Sequence, residues 1–254
     1  MNKIYVKSPK EQEIMKLGGE IAGFVLSQVM KDVVPGITTL ELNQKADTLM
    51  REKGATPSFL TVDDYKYAIC ATVNDEVVHG LPGNQKLKSG DIIGIDLGVL
   101  YQGLHTDTAV TVGVDKIDPE TKKLLDVGEK ALNAGIHEAR AGKRVGHISS
   151  AIQEIVERHG YSVVRALVGH GVGKELHEDP QVPGFLSMNI KETPLLVDGM
   201  TIAIEVIYNK GNYDVMYKKE DGWTISTADG SLSGLFEHTV LITGGEPAVL
   251  TRRA

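Results

Sequence analysis

Two stretches of this 254-residue chain share one pattern, namely Gly90-Asp91-Ile92-Ile93-Gly94-Ile95-Asp96 and Gly199-Met200-Thr201-Ile202-Ala203-Ile204-Glu205. In each stretch a glycine precedes a run rich in isoleucine, and a carboxylate follows that glycine by six residues. Short apolar runs next to a turn-forming residue are typical of strands that are buried on both faces. The two stretches therefore predict a strand in each half of the chain, with an acidic residue in apolar surroundings.

A second parallel follows the first in the same order. The stretch Asp107-Thr108-Ala109-Val110-Thr111-Val112-Gly113 matches Glu237-His238-Thr239-Val240-Leu241-Ile242-Thr243-Gly244, and each begins with an acidic residue. Chance could supply one such match, whereas two in the same order indicate an internal repeat.

Helix signals precede the strands in the first half. The stretch Ser8-Pro9-Lys10-Glu11 has the pattern of a capping box with proline at the first helical position, and it predicts a helix to about Val29. The stretch Thr38-Thr39-Leu40-Glu41 repeats the capping pattern and predicts a second helix that ends near Gly54.

The second half has a similar pair of helix signals. Asp118-Pro119-Glu120 predicts a helix to about Ala141, and His147-Ile148 begins another that ends at Gly160. Each half thus contains two helices and then strands with two acidic residues, which predicts a duplicated α+β unit. We expect one catalytic domain over residues 1–254, with pseudo-symmetric halves of roughly 1–113 and 114–254.

The composition argues against several functional classes. The net charge is −7 and no cluster of lysine and arginine is present, which argues against nucleic acid as a substrate. The single cysteine, Cys70, cannot form an intrachain disulfide, as is typical of a reducing compartment. The first residues lack the apolar segment of a signal peptide, and no run approaches the roughly 20 apolar residues of a membrane-spanning helix. We therefore expect a cytoplasmic protein without membrane contact.

Four carboxylates mark the repeated strands: Asp96, Asp107, Glu205 and Glu237. They could lie at strand ends and face water, but a carboxylate inside an apolar strand is costly to bury unless it is paired or binds a metal. If the two halves pack about a pseudo-twofold axis, the four side chains converge and repel one another. Two divalent cations would balance that charge better than one, and such oxygen ligands suit Mn²⁺, Fe²⁺, Co²⁺ or Zn²⁺ when a histidine is added.

Three histidines have surroundings that suit a functional site. His170 lies in Val168-Gly169-His170-Gly171-Val172-Gly173, where the glycines would let the backbone approach a ligand closely, and it is the candidate histidine ligand. The alternative is a loop histidine beside glycines that serve a turn. His79 and His177 are further candidates, and each could instead be a structural histidine with satisfied hydrogen bonds.

The ordered set of motifs resembles the type I methionine aminopeptidases, a family of metallopeptidases, over nearly the whole chain. The matching segments are residues 74–82, Asp96 and Asp107 with ten residues between them, and residues 169–173, 177–183 and 236–239. One of these motifs alone would be weak evidence, whereas the ordered set is highly specific. The resemblance implies the pita-bread fold, an α+β architecture in which a pseudo-twofold repeat surrounds a central curved antiparallel sheet.

The resemblance also implies a set of metal ligands. Two divalent ions, which could be Co, Mn, Fe, Zn or Ni, would be bound by five residues: Asp96, Asp107, His170, Glu205 and Glu237. Asp107 and Glu237 would bridge the two ions. Asp96 would hold one ion, and His170 with Glu205 would hold the other.

The same resemblance implies how substrate is bound. His79 and His177 would contact the substrate amide and the tetrahedral intermediate, and Glu205 would transfer the proton. Methionine selectivity needs an apolar pocket, and five residues are candidates to line it: Phe59, Tyr65, Cys70, Leu176 and Trp223. Aromatic and sulfur groups contact a thioether favourably, by about 0.3–1.5 kcal/mol each. The alternative is that these five residues belong to the ordinary core.

The implied function is removal of the initiator methionine from nascent proteins whose second residue is small. Its partners would be nascent polypeptides that begin with methionine, the ribosome is a second candidate partner, and the protein would be a monomer. The chain departs from the family pattern at Val206, at Leu235 and in residues 227–230, and none of these is a ligand position.

Two other functions are left open. A Xaa-Pro aminopeptidase of the same fold generally carries an additional N-terminal domain, for which 254 residues leave no room. A binding protein that has lost catalysis would usually lack metal ligands, whereas all five are present in this chain.

Overall fold

The helices appear in the predicted order. The structure is a computed structural model that describes residues 4–217 and 221–253. Its α-helices are α1 (Pro9–Met30), α2 (Thr39–Glu52), α3 (Pro119–Glu138) and α4 (Val145–Arg158). The prediction of a helix pair before the long strands of each half is confirmed. None of these helices combines the length and the hydropathy needed to cross a membrane.

Capping boxes begin the first two helices, as predicted. The Ser8 hydroxyl accepts a hydrogen bond from the Glu11 N–H, and the Glu11 carboxylate accepts one from the Ser8 N–H. Thr38 and Glu41 form the same reciprocal pair at the start of α2. Each N-cap side chain stabilises its helix by about 1 kcal/mol.

The helices of the second half differ from the prediction at their ends. Helix α3 ends at Glu138, earlier than predicted, because the backbone leaves the helical region at Ala139. Helix α4 begins at Val145 rather than at His147. His147 is the third helical residue, and its Nδ1 accepts a hydrogen bond from the Arg144 N–H. The residue taken as the start of the helix is therefore part of its cap.

The strands follow the helices in each half. They are β1 (Thr56–Pro57), β2 (Cys70–Val73), β3 (Glu76–Val78), β4 (Ile92–Tyr101), β5 (Leu104–Gly113), β6 (Ser162–Val163), β7 (Gly169–Gly171), β8 (Glu178–Val182), β9 (Thr201–Asn209), β10 (Val215–Tyr217), β11 (Ile225–Thr227), β12 (Ser233–Leu241) and β13 (Ala248–Val249). The four strands predicted from the repeated stretches are β4, β5, β9 and β12.

A ten-stranded antiparallel sheet forms the centre of the fold. Its long strands lie in the order β4-β5-β12-β9, so the two halves meet at the β5–β12 pair. The outer edge of β4 pairs with β1 and β2, and the outer edge of β9 pairs with β6 and β7. Each half thus contributes a matching set of strands, which confirms the predicted duplication of an α+β unit.

The helices cover one face of this sheet. Helix α1 packs against β4 and β5, while α3 packs against β9 and β12. Ile95 and Leu97 of β4 are fully buried in the core that contains the helices. Because side chains alternate along a strand, Asp96 between them points to the opposite face. The same holds for β12, where the ring of Phe236 packs so closely on α3 that a Cβ on Gly128 would overlap it.

A smaller sheet lies beside the open face, with the order β10-β11-β3. Strand β3 ends at Val78, directly before His79, and β11 begins at Ile225, shortly after Trp223. Pairing of β3 with β11 therefore joins a segment of the first half to one of the second half near two predicted site residues.

The C-terminal segment passes beneath α1 and reaches the central strands. A Cβ on Gly19 would lie 2.5 Å from the Leu250 carbonyl oxygen, so the helix permits this close approach only with glycine. Thr251 is fully buried, and its hydroxyl accepts a hydrogen bond from the Thr239 N–H at 3.1 Å. The same hydroxyl lies 2.9 Å from the Nδ1 atom of His238. The segment thus contributes to the environment of β12.

Candidate metal centre and substrate pocket

The strand register places three predicted carboxylates in one row across the sheet. Asp96 of β4 lies opposite Ala109 of β5, and Ala109 also lies opposite Glu237 of β12. Glu237 in turn lies opposite Glu205 of β9. Residues opposite each other in an antiparallel sheet point to the same face, with Cβ atoms about 5 Å apart. The three carboxylates therefore share the face that the helices leave open.

Asp107 and His170 join this face from neighbouring positions. Asp107 lies two residues before Ala109 on β5, and His170 of β7 lies opposite Ala203, two residues before Glu205. A spacing of two residues preserves the face of a strand. All five predicted ligands are thus brought together on one surface of the sheet.

The two acidic pairs are not in equivalent positions, contrary to the parallel seen in the sequence. Glu205 and Glu237 lie directly opposite each other, whereas Asp107 lies opposite Gly98 and is two residues away from the row. The residue opposite Glu237 on β5 is Ala109. The repeat correctly predicts the strands but places Asp107 in the row, two residues away from its actual position. A shift of two residues along a strand leaves a side chain on the same face of the sheet and does not change the pattern of apolar residues, so the sequence does not reveal it.

On either side of the central row, a threonine hydroxyl bonds both the backbone N–H and the carbonyl of one residue across the β5–β12 pair. Thr239 Oγ1 accepts a hydrogen bond from the Asp107 N–H at 2.8 Å and donates one to the Asp107 carbonyl at 2.8 Å. Thr111 Oγ1 contacts Leu235 in the same way, 2.8 Å from its nitrogen and 3.0 Å from its carbonyl oxygen. One of these two bridges therefore fixes the backbone of a predicted ligand. Neither threonine was predicted to have a role in the site.

Burial raises the pKa of all four carboxyl groups. It raises the pKa of Asp107 to about 7 and, together with the charge of Asp107, the pKa of Glu205 to about 8. The pKa values of Asp96 and Glu237 are raised well above the usual range, first by burial and then by Asp107. Four buried carboxylates cannot all be ionised near neutral pH without compensating cations.

The donor set fits divalent metal ions. Ligand atoms of Asp107, His170 and Glu237 all lie within 4.8 Å of one another. Two buried carboxylate oxygens, Asp96 Oδ1 and Glu237 Oε1, have no hydrogen-bond partner. An unpaired buried carboxylate oxygen is costly, and a cation is the usual partner. The residues present therefore match the chemistry of a metal centre.

The ring of His170 is oriented for ligation. Its Nδ1 lies 2.9 Å from the Gly171 carbonyl oxygen, so Nδ1 carries the hydrogen and Nε2 is left as the free ligand atom. Burial, then the neighbouring His177, lowers the pKa of His170 to about 4, which keeps the imidazole neutral as a ligand must be.

The glycines beside His170 serve the sheet rather than the ligand, which corrects the prediction. A Cβ on Gly169 would lie 2.5 Å from the Ala203 carbonyl oxygen, and one on Gly171 would overlap the Asp179 carbonyl. Strand β7 is therefore confined between β8 and β9 by backbone contacts on both sides. Periodicity alone does not distinguish this close packing from close approach of a ligand.

An apolar pocket adjoins the carboxylates. Phe59, Tyr65, Cys70 and Leu176 are between 5% and 7% exposed and form one cluster, against which Trp223 packs. The Tyr65 ring meets the rings of Phe59 and Trp223 edge to face, at centroid distances of 6.1 and 5.1 Å. The Tyr65 hydroxyl lies 3.1 Å from Cys70 Sγ, which holds both side chains in the wall.

One cavity of about 350 Å³ contains both parts of the site. Its lining includes all five predicted pocket residues, both candidate histidines outside the ligand set, and four of the predicted ligands, namely Phe59, Tyr65, Cys70, Leu176, Trp223, His79, His177, Asp96, Asp107, His170 and Glu205. Val78, Leu167 and Ile207 form a further apolar wall that the sequence did not predict. Glu237 is 1% exposed and does not line the cavity, but it belongs to the candidate metal-binding cluster with Asp107 and His170.

The two histidines outside the ligand set reach this cavity from different halves. His79 has a left-handed backbone with φ of 57°, which is uncommon for a bulky residue and is concentrated at functional sites. His177 is exposed at the mouth of the cavity, and its ring lies against that of His170 with centroids 4.5 Å apart. Burial lowers the pKa of His79, with His177 as the second cause.

Comparisons with known proteins place the chain in a family. The model of metallopeptidase family M24 matches residues 13–244. Methionine aminopeptidase 1 of Bacillus subtilis is 44% identical over 249 residues, which cover 98% of this chain and 99% of the relative. The methionine aminopeptidase of Clostridium perfringens is 43% identical over 248 residues and covers 98% of both. The chain belongs to the methionine aminopeptidases of family M24.

Solved structures agree with this assignment to the methionine aminopeptidases. The crystal structure of methionine aminopeptidase from Thermotoga maritima has a TM-score of 0.95 at 42% identity and covers 99% of this chain and 100% of that one. The pita-bread fold is thereby confirmed. The prolidase of Pyrococcus furiosus has a TM-score of 0.79 at 24% identity, and this chain covers only 66% of it. The likeness to prolidase extends to the fold alone.

Proposed function

We propose that this chain releases the N-terminal methionine of polypeptides by hydrolysing the first peptide bond at a centre of two divalent metal ions. The observation that carries the proposal is a single cavity in which a cluster of buried carboxylates and His170 adjoins a pocket of aromatic and sulfur side chains. The relatives of similar length that are named methionine aminopeptidases support the same reaction.

Asp96, Asp107, His170, Glu205 and Glu237 are the proposed metal ligands. The unpaired oxygens of Asp96 and Glu237 and the free Nε2 of His170 support this set. Bound divalent ions supply a Lewis acid and make hydroxide available near neutral pH. The ligands tolerate several ions, and Co, Mn, Fe, Zn and Ni all remain candidates.

The apolar pocket is the proposed site of the methionine side chain. Cys70 and the rings of Tyr65 and Trp223 offer the sulfur and aromatic contacts that a thioether prefers. Because the pocket adjoins the carboxylates within one cavity, a side chain in the pocket places its own peptide bond near the metal ligands. Leu176 and Phe59 close the pocket and exclude water.

Three side chains are proposed to act on the reacting bond. His79 and His177 donate hydrogen bonds to the substrate amide and to the developing oxyanion, a contribution of roughly 3 kcal/mol per donor. Glu205 lines the cavity, unlike the buried Glu237, and is the carboxylate that transfers the proton to the leaving amine.

The preference for a small second residue is part of the proposal. A second side chain would lie against the other apolar wall, formed by Val78, Leu167 and Ile207, in a cavity of only about 350 Å³. The proposed substrates are therefore nascent polypeptides that begin with methionine and a small residue. Action near the ribosome in the cytoplasm, and as a monomer, remains a prediction.

The test uses metal-stripped protein with the peptides Met-Gly-Met-Met and Ala-Pro-Ala, after Mn²⁺, Co²⁺ or Fe²⁺ is added back without oxygen. Metal-dependent release of methionine from the first peptide alone is the expected result. Cleavage of the second peptide instead would assign the chain to the proline-specific peptidases. Tight metal binding without cleavage of either peptide would indicate a binding protein.

A companion series tests the second-residue preference. Met-Ala-Ser should be cleaved at least about tenfold faster than Met-Leu-Ser, because a leucine in the second position would clash with the opposite wall. Equal rates for the two peptides would contradict the proposed place of the second side chain.

A further inference from the structure

The segment before α1 contacts the loop of residues 172–177, which joins β7 to β8 and contains His177. The Lys7 N–H donates a hydrogen bond to the Gly199 carbonyl at 2.8 Å, and the Gln12 side chain donates one to the Lys7 carbonyl at 2.8 Å. Lys7 Nζ lies 2.5 Å from Glu178 Oε2, and both side chains are only 3% exposed. A lysine at the start of the described chain is thus buried against the neighbour of His177.

The other oxygen of Glu178 holds the loop itself. Oε1 accepts hydrogen bonds from the Lys174 N–H at 2.6 Å and from the Glu175 N–H at 3.2 Å. The carbonyl of Gly173 accepts a hydrogen bond from the His105 N–H at 2.6 Å, which ties the loop to β5. The Glu178 carboxylate therefore joins Lys7 to two backbone N–H groups of a single loop.

The Lys7 side chain packs directly against the backbone of this loop at Gly173. A Cβ on Gly173 would overlap the lysine side chain, and one on Gly199 would lie 2.8 Å from Val6 Cγ1. Lys174 adds a weaker contact, since its Nζ lies 3.6 Å from Glu11 Oε1. Glycine at position 173 thus permits Lys7 to approach the loop, and glycine at position 199 permits Val6 to approach the chain before β9.

A buried ion pair stabilises a protein little compared with apolar residues of the same size, so stability alone does not explain this arrangement. Its geometric effect is clearer, because the fixed carboxylate belongs to the residue that directly follows the cavity-lining Leu176 and His177. His177 is adjacent to Glu178 in sequence, and its ring packs against the ring of His170. Lys7 itself does not line the cavity.

We propose that Lys7 is a positioning residue, which acts through Glu178 to hold His177 against His170 at the mouth of the site. The kinetic part of this inference rests on the proposed function. Supporting residues of this kind typically change activity tenfold to a hundredfold without touching the substrate.

The kinetic test replaces Lys7 by an uncharged residue of similar length. Lys7→Met should lower kcat for Met-Ala-Ser roughly tenfold to a hundredfold and change KM by less than about threefold, because His177 acts on the reacting bond. The matched control is Lys45→Met, which removes a lysine that lies 2.6 Å from Asp32 Oδ2 away from the cavity. The control should leave kcat unchanged.

A double-mutant comparison separates positioning from general structural damage. In a His177→Ala background, Lys7→Met should lower kcat by less than about twofold, because the residue that it positions is gone. An equal loss of kcat in both backgrounds would overturn the inference, as would a wild-type kcat in Lys7→Met alone.

A second measurement does not depend on activity. In metal-free Lys7→Met, hydrogen exchange at the amides of Lys174 and Glu175 should become at least about tenfold faster, while the amides of β9 stay unchanged. Unchanged exchange at both loop amides would overturn the inference even if the proposed function holds. Faster exchange in a protein without peptidase activity would support the positioning role of Lys7 and reject only the proposed function. If Lys7→Met does not fold, the same measurements on Glu178→Gln decide in the same sense.

Discussion

The first and second halves of the sheet have matching strands but carry different candidate metal ligands. In the second half, Glu205 and Glu237 face each other directly across β9 and β12, and the neighbouring strand adds His170. In the first half, Asp107 is displaced from the row by two residues. The position that matches His170 is occupied by Thr72, which lies opposite Gly94, two residues before the first aspartate.

This difference shows that the duplicated fold and the proposed chemistry depend on different residues of the same strands. The fold repeats because apolar residues repeat with the same period in both halves, which is sufficient to pair the strands. The candidate ligands do not repeat, since one half supplies a nitrogen donor and the longer glutamates while the other supplies only aspartates. The two metal positions proposed for this centre would therefore have unlike surroundings. The following variants test whether activity depends more on the residues that differ between the two halves than on the strands that they share.

The largest effect is expected at Asp107, the carboxylate without a counterpart in the other half. Asp107→Asn should lower methionine release roughly a hundredfold or more, because it removes the charge proposed to lie between the two ions. Steady-state kinetics and the metal content of the purified variant would measure this. Full metal content with activity within about fivefold of the original protein would contradict the proposed bridge.

The next effect concerns His79, which the first half contributes opposite His177 of the second. His79→Gly should lower kcat roughly a hundredfold through loss of a hydrogen-bond donor. Its free energy of unfolding should change by less than about 1 kcal/mol, since glycine relieves the left-handed backbone while side-chain contacts are lost. The matched control is Gln102→Gly, at φ of 48° in the turn between β4 and β5.

The control should gain up to about 1 kcal/mol in unfolding free energy and keep its kcat. Chemical denaturation with parallel assays would measure both variants. A large loss of stability in His79→Gly with no loss of kcat would assign His79 to the structure rather than to the reaction.

A smaller effect distinguishes the two threonine bridges. Thr239→Val and Thr111→Val each free one N–H and one carbonyl in the β5–β12 pair, so each should cost about 1–3 kcal/mol of stability. Only Thr239 holds the backbone of Asp107, so Thr239→Val should also lower kcat about tenfold. Equal kinetics in the two variants, measured at matched metal content, would show that the bridge does not position the ligand.

The smallest effect is a dependence of stability on pH in the metal-free protein. The pKa of Glu205 rises from about 4.5 in the unfolded chain to about 8 in the folded protein. Between pH 4.5 and pH 8 the Glu205 carboxyl group is therefore ionised in the unfolded chain but still protonated in the folded protein. The contribution of the Glu205 carboxyl group to stability is therefore full below about pH 4.5 and is lost as the pH rises toward 8. The Tm of metal-free protein should fall by about 5 °C from pH 6 to pH 8.

Glu205→Gln should flatten this profile, and a bound divalent ion should remove it, because the cation favours the ionised carboxylate. Differential scanning calorimetry of the metal-free and metal-loaded forms would measure both. A metal-free Tm that rises with pH in this range would contradict the raised pKa values.

Sequence patterns predicted most of the fold because its signals are local. The capping boxes at Ser8 and Thr38 are satisfied within four residues, and the strand periods are visible in single stretches. The end of α3 at Glu138 carries no such local signal. The start of α4 depends on His147, which the sequence placed at the first position instead of within the cap.

The candidate site was only partly predictable, for a different reason. The residue types needed for metal and methionine binding could be named, because that chemistry restricts the choice of side chains. The register that separates Asp107 from the row, and the hydroxyl of Thr239 that holds it, depend on pairing between residues 132 positions apart. Lys7 and Glu178 are similarly distant, 171 positions apart, so no local pattern relates them.

The buried Thr251 is the last residue, in chain order, of a series of hydrogen bonds that reaches Asp107. Its hydroxyl receives the Thr239 N–H, and Thr239 in turn bonds the backbone of Asp107. Translation runs from the N-terminus, so Thr251 leaves the ribosome after every other residue that holds the centre. A nascent chain in which Thr251 is still inside the ribosome has the candidate ligand carboxylates but lacks the hydrogen bond from the Thr239 N–H to Thr251. The candidate centre of a protein proposed to trim other chains during their synthesis therefore gains this contact only after residue 251 has itself been synthesised.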